Sequence, residues 1–283
     1  MADTLYIIGN GFDLHHSLRT SYTNFHDDYL KKKRPQWLNF FQTIYGDAPK
    51  CEIWWNDFEK RLGEIDYSYG MDSHKGRVPF VLYLGDMLKH QIPSLFGDWI
   101  KDIDDRVEQD ESLKFDEKSS FFTFNYTMVL EKTYHIDGNR IWHIHNSVAD
   151  YQRKGTNPIV GHDVNSGELT IRLNQFMNAN PSFRYDIADM MNRNIYDGGK
   201  KVLDRICQNE IRFDQYCDII HFVAMGFSFN DIDMPYIKKI WSVNRHKDNA
   251  DWTVYLHTPE DESITGRIIG LGVSEDNIHT KNW

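Results

Sequence analysis

Cysteine is scarce in this chain. Its three cysteines, Cys51, Cys207 and Cys217, form no CxxC pair and leave an odd one over, so neither a zinc module nor a disulfide framework follows from them. Basic charge is also short: 32 Lys and Arg stand against 42 Asp and Glu, a net charge of −10. A general nucleic-acid coat is disfavoured on that balance, because neutralising phosphates needs a basic surface. The one local exception, Lys31-Lys32-Lys33-Arg34, reads as a basic cluster or, as such runs more often are, a solvated helix end. No long apolar run occurs, and Leu5 to Ile8 is too short for a signal sequence or a membrane span. The first residues carry no basic stretch, no repeat or low-complexity segment appears, and the expectation is a soluble, cytoplasmic protein without a membrane partner.

What is present suits a globular core. The apolar fraction is 40%, and aromatics reach 14% with 8 Trp, which serves either dense packing or a base-stacking surface. At 283 residues the chain fits one α/β domain carrying an inserted helical piece over about residues 35–115.

The most informative stretch is 121–146. Phe121 to Phe124 is a short aromatic strand, Met128, Val129, Leu130 and Tyr134 follow at helical spacing, and Asp137-Gly138-Asn139 turns the chain into a second strand, Arg140 to Ile144. Read as one βαβ unit with parallel neighbours, it places Asn125 and His145 at equivalent carboxyl ends, where open α/β sheets bind their ligands. An amide and an imidazole there are suited to orienting a hydroxyl or water and taking its proton. The alternatives are a helix cap for Asn125 and a packed core histidine for His145.

A buried-strand pattern at Thr4 to Ile8 opens into Gly9-Asn10-Gly11-Phe12-Asp13. Two glycines one residue apart after a first strand allow a tight turn and close approach of backbone amides to phosphate. Leu14 stands where a third glycine would complete a dinucleotide fingerprint, so a ligand-free turn explains the glycines equally. Asp13 is a candidate for a helix cap or for holding a ribose hydroxyl, and Arg19 is the nearest cation for a phosphate.

Within the helical piece, Trp55, Phe58, Glu59 and Leu62 share a face. Glu59 on that aromatic stripe is a candidate catalytic or ligand-binding carboxylate, contributed to the wall of the same cleft, or else a partner of Lys60 or Arg61. Residues 67–77 read as loop, 78–100 as helix, and 101–117 as an acidic helix or connector. Pro158 to Asp163 looks like another strand end, delivering His162. Residues 168–217 read as helical again, followed by a buried strand, Cys217 to Met225. That strand opens into a second glycine loop, Gly226-Phe227-Ser228-Phe229-Asn230-Asp231-Ile232-Asp233-Met234-Pro235, and Trp252 to His257 is the last clear strand.

Six segments together, Ile7 to Leu14, Trp55 to Glu59, Phe124 to Glu131, His143 to His145, Ile159 to His162 and Gly226 to Tyr236, resemble the bacteriophage abortive-infection AbiH family. That family is in turn similar to sirtuin-like Rossmann domains. The resemblance implies an α/β fold with a Rossmann-like, sirtuin-like parallel sheet flanked by helices, the helical insertion forming a cap, and NAD as substrate or ligand. It implies that Gly9, Asn10 and Gly11 bind the pyrophosphate, that Asn125 orients a ribose hydroxyl or water, that His145 is the base, and that Ser228 and Asp231 hold the adenosine half, with Gly226 of the same loop among the cofactor-binding residues. Cleavage of the nicotinamide glycosidic bond would follow, in an antiphage effector. Asn146 follows His145 where the pattern has glycine, Thr127 replaces the sirtuin acid, and Ser17 and Arg19 stand where the AbiH pattern has Gly and Pro. The missing four-cysteine module argues against protein deacylation. Three function classes stay open: an NAD glycohydrolase, a nucleotide sensor or partner-binding module without chemistry, and a metal-dependent nuclease or nucleotide hydrolase using Asp13, Glu59, Asp163 and histidines. The expected partners are a nucleotide, a phage or host trigger protein, and a second copy of the chain.

Overall fold

The structure, a computed structural model, describes residues 3–65, 77–103, 105–256 and 262–283. The chain forms two compact units. The first comprises Met1–Thr20, Ile100–Thr156 and Val202–Trp283; the second comprises Ser21–Trp99 and Asn157–Lys201.

The first unit is built on a six-stranded sheet: β1 (Thr4–Ile8), β2 (Ser120–Thr123), β3 (Ile141–His143), β4 (His221–Met225), β5 (Asp251–Leu256) and β6 (Ile278–Asn282). All neighbours are parallel, in the order β3-β2-β1-β4-β5-β6. This is the strand order of a doubly wound Rossmann-like sheet, whose direction of winding reverses between β1 and β4. Parallel strands must be buried on both faces, and the sequence supplies this by alternation. Phe121 and Ile141 join one core with Ile8, Phe12, Val129, Leu130 and Met225. Phe122 and Trp142 join the other with Leu5, Ile7, Phe222, Ile237, Ile240, Trp252 and Val254. The short helices α1 (Asn10–His15) and α2 (Val129–Lys132) supply apolar residues to the first core, and α3 (Met234–Val243) to the second.

The loops after β1 and β4 are locked together by backbone. Gly9 N donates to Met225 O at 3.0 Å and Gly11 N to Gly226 O at 2.8 Å. Side chains do not fit in that contact. A Cβ at Gly11 would lie 2.6 Å from Gly226 Cα, and one at Gly226, whose φ is +61, would lie 2.1 Å from Phe12 N. The glycine pattern read from sequence as a phosphate approach therefore first serves loop-to-loop closure.

The βαβ unit at 121–146 has its strands parallel, as its spacing predicts, paired Phe121 to Ile141 and Thr123 to His143. Its helix is shorter than the periodicity suggests and covers only Val129–Lys132, because His135 takes a left-handed φ of 54° shortly after it. β3 likewise stops at His143, and Asn146 turns at φ 62°. β6 is a strand that the sequence pattern did not disclose: its residues, Ile-His-Thr-Lys-Asn, are mostly exposed at the sheet edge and lack apolar alternation. The strand expected over Cys217 to Met225 begins only at His221, and of the strand expected to end at His257 that last residue lies outside the described set.

The second unit is helical. It includes helices at Pro35–Tyr45, Arg77–Asp86, Ser166–Ala179 and Tyr185–Asp197. Its aromatic core gathers Phe25, Phe41, Trp55 and Phe58, with ring centroids 5.4 to 5.6 Å apart for Phe25–Phe58, Phe41–Trp55 and Phe41–Phe58. Of the stretch 35–115, residues 35–99 belong to this unit and 100–115 to the first. The loop reading of 67–77 falls almost wholly on residues outside the described set. Pro158 to Asp163 is not a strand end, since no strand includes it.

The backbone lock gives the first test. Gly226→Ala should lower unfolding free energy by about 2–4 kcal/mol, combining a backbone clash with a left-handed alanine. Urea denaturation of the two proteins measures it, and an unchanged midpoint would contradict the lock.

Candidate functional site

At the carboxyl ends of β1, β2 and β3 lies a buried polar group. Asp13, on α1, is 2% exposed; Asn125, just past β2, is 6% exposed; Thr127 is 4% exposed. Asn125 Nδ2 donates to Asp13 Oδ1 at 2.9 Å. Thr127 Oγ1 lies 2.9 Å from Asp13 Oδ1 and 2.8 Å from Oδ2, so its single proton serves either oxygen. The chain is held in this shape partly by Thr123, whose hydroxyl accepts from Asn125 N at 3.1 Å. Asn125 Oδ1, on the other side of the amide, is buried and meets no hydrogen-bond donor among the described residues. Such an acceptor is costly to leave unsatisfied in a fold.

Burial dominates the Asp13 carboxyl and pushes its pKa up to about 7, against the lowering effect of the Thr127 and Asn125 hydrogen bonds and of nearby His143. His143, the last residue of β3, extends the group. Its Nδ1–H donates to Asn125 O at 2.8 Å, and Nε2 lies 3.0 Å from Glu131 Oε1. Burial alone would lower the His143 pKa, but the Glu131 carboxylate and the Asn125 carbonyl together raise it. Nearby Asp105 is ion-paired with Lys132 at 2.7 Å and accepts from Met128 N at 3.3 Å. Glu131, Thr127 and His143 were not foreseen as site residues. Their places in Phe-Asn-Tyr-Thr and His-Ile-His were visible, but their partners were not.

His145 is placed differently. Its Nε2 lies 3.6 Å from Asp233 Oδ1, and its ring packs against Phe124, Tyr126 and Tyr236 at 5.5, 6.1 and 5.9 Å. Phe124 and Tyr236 belong to the core that faces α3, whereas the side chain of Asn125 is turned to α1. No hydrogen bond joins Asn125 to His145 among the described residues.

The remaining candidates separate. Gly9 and Gly11 spend their amides on Met225 and Gly226, and Asn10 and Arg19 are exposed. Ser228 is exposed, and Asp231 is 93% exposed and paired with Arg267 at 2.8 Å. Glu59 belongs to the second unit, where Lys200 Nζ lies 2.9 Å from its Oε2 and Gly161 N donates to its Oε1 at 3.4 Å. Its cation partner is thus Lys200, itself 1% exposed, rather than a helix neighbour. His162, in the same unit, is 1% exposed, and burial pushes its pKa down to about 4. Among the described residues no three His, Cys, Asp or Glu side chains are grouped to hold a metal, and no helix is long and apolar enough to cross a membrane.

The sequence model of a family described as "Bacteriophage abortive infection AbiH" matches residues 5–256. No curated protein and no solved structure matches the chain significantly.

The Asp13 titration has a stability consequence. With a folded pKa near 7 against an ordinary 3.8, the folded protein holds a proton that the unfolded chain releases above about pH 4. Stability therefore falls as pH rises from about 4 to about 7, and the full penalty, on the order of 4 kcal/mol, persists above that. Asp13→Asn has no such titration. Denaturation at pH 5 and pH 8 should show the variant gaining on wild type by roughly 2–4 kcal/mol over this interval; a constant difference would mean that Asp13 ionises normally.

Proposed function

The chain belongs to the bacteriophage abortive infection AbiH family, and from that membership and the strand-end geometry we propose an antiphage effector that binds a nucleotide of the NAD type and hydrolyses its nicotinamide glycosidic bond. The observation that carries the reading is the buried acceptor of Asn125 at the carboxyl end of β2, beside the β1/β4 reversal of a Rossmann-ordered sheet. That end of such a sheet is where ligands bind.

The residues fit the ribose end of such a ligand. A ribose hydroxyl or a water is a donor in search of an acceptor, and Asn125 Oδ1 is an acceptor in search of a donor. The diphosphate end falls to groups other than the amides of Gly9 and Gly11, which already donate within the protein. Cleavage of the nicotinamide bond passes through an oxocarbenium-like state with a good leaving group, so a positioned water matters more than a strong acid. In this reading Asn125 supplies the positioning. His145, the base implied by resemblance, lies against Asp233 and acts only on a water reaching its own side of the strand ends.

A second reading, nucleotide sensing without chemistry, is favoured by that same separation of His145 from Asn125. One assay divides them. Incubation of the protein with NAD, with infection triggers present, should release free nicotinamide, and Asn125→Ala should lower the rate by roughly 100-fold while retaining a cooperative thermal transition. Tight NAD binding with no nicotinamide released by wild type would select the sensor, and an Asn125→Ala rate equal to wild type would remove Asn125 from the mechanism.

A further inference from the structure

We propose that Asp13 is a positioning residue: its carboxylate fixes the side-chain amide of Asn125 with Nδ2 turned inward, so that Oδ1 is presented as the acceptor for a ribose hydroxyl. The proposal rests on the nucleotide reading for the identity of the ligand, and on geometry alone for the orientation of the amide.

An ionised carboxylate accepts hydrogen bonds and donates none. Facing Asp13 Oδ1 at 2.9 Å, the Asn125 side chain therefore has one permitted orientation, nitrogen inward. Thr127 reinforces it, since its hydroxyl also donates to the same carboxylate at 2.8 to 2.9 Å. Both of these donors converge on Asp13, and the Oδ1 atom of Asn125 is what remains: buried and without a donor among the described residues. The backbone of Asn125 is pinned independently, its N–H by Thr123 Oγ1 and its carbonyl by His143 Nδ1. Rotation of the terminal amide is thus the remaining freedom, and the charge on Asp13 decides it.

Protonation reverses the logic. Protonated on Oδ1, the oxygen that faces Asn125, a neutral Asp13 carries an O–H that donates to Asn125 Oδ1 after a flip of the amide, which turns the NH₂ toward the ligand and withdraws the acceptor. The charged groups facing Asp13 are His143 from β3 and Asp105 from the segment before β2. Glu131 and Lys132 of α2 pair with these two in turn. With the carboxyl held near pH 7 by burial, the competent orientation changes from a minor to a major population between pH 6 and pH 8. Apparent affinity scales with the competent fraction, so a hydroxyl ligand should bind about tenfold more tightly at pH 8 than at pH 6.

ADP-ribose, which keeps the ribose hydroxyls and lacks nicotinamide, is the probe. Calorimetric titration of the wild-type chain should show its affinity rising about tenfold from pH 6 to pH 8, whereas the isosteric Asp13→Asn should bind several-fold more weakly than wild type at pH 8, with a flat profile. In parallel, the Asn125 side-chain NH₂ resonances of ¹⁵N-labelled protein should move through a transition centred near neutral pH in wild type and stay fixed in Asp13→Asn. Equal and pH-independent affinities in the two proteins, or Asn125 resonances that do not titrate in wild type, would overturn the proposal. If ADP-ribose binds neither protein while the Asn125 resonances titrate, the amide control by Asp13 stands and the nucleotide reading fails.

Discussion

The backbone contact between the loops after β1 and β4 is the constraint on which the first unit depends. Gly9 and Gly11 donate to Met225 and Gly226, at the point where a Rossmann-ordered sheet reverses direction. Only residues without a side chain allow the two loops to approach so closely, as the 2.1 Å clash of a Cβ at Gly226 with Phe12 N makes plain. The contact fixes where α1 starts, and α1 carries Asp13. The position of the buried carboxylate is therefore a consequence of glycine packing two and four residues before it, and the loops act through their geometry rather than through free amides.

Burying Asp13 costs stability, because the carboxylate loses its hydration, a loss that outweighs the hydrogen bonds from Asn125 and Thr127 and the influence of His143. Groups kept at such a cost cluster at functional sites. Around it the arrangement is ordered by polarity: the Glu131–His143 pair holds the carbonyl of Asn125, Asp13 holds its amide nitrogen, and the oxygen of that amide meets no donor among the described residues. The Glu59–Lys200 pair of the second unit makes a useful contrast. There a buried carboxylate has a full cation beside it at 2.9 Å, an arrangement that accounts for its burial without any ligand.

Much of the sheet was legible in the sequence because its inner strands are short, apolar and bounded by glycine or polar turns. Thr4–Ile8 matched its observed bounds, and the parallel pairing within 121–146 followed from strand, helix and strand spacing. The edge strand Ile278–Asn282 was invisible, since an exposed edge needs no apolar alternation. Membership of the AbiH family was readable from six short segments, and the match over residues 5–256 shows it. The site was legible only in part. Asn125 and Asp13 were both singled out, yet nothing in one sequence indicates that residues 112 positions apart share a hydrogen bond. His145 was paired with Asn125 by register, but the turn after His143 and the left-handed Asn146 direct its ring to Phe124, Tyr236 and Asp233. Glu59 was correctly seen as an odd residue on an aromatic face; its partner Lys200 lay too far along the chain to infer.

The central claim is that Asn125 Oδ1 receives a nucleotide ribose. A crystal structure of the wild-type protein grown with ADP-ribose at pH 8 tests it directly. The account predicts a ribose hydroxyl within hydrogen-bond distance of Asn125 Oδ1, with Nδ2 still on Asp13. A ribose seated elsewhere, with Asn125 Oδ1 bonded to no ligand atom, would contradict it.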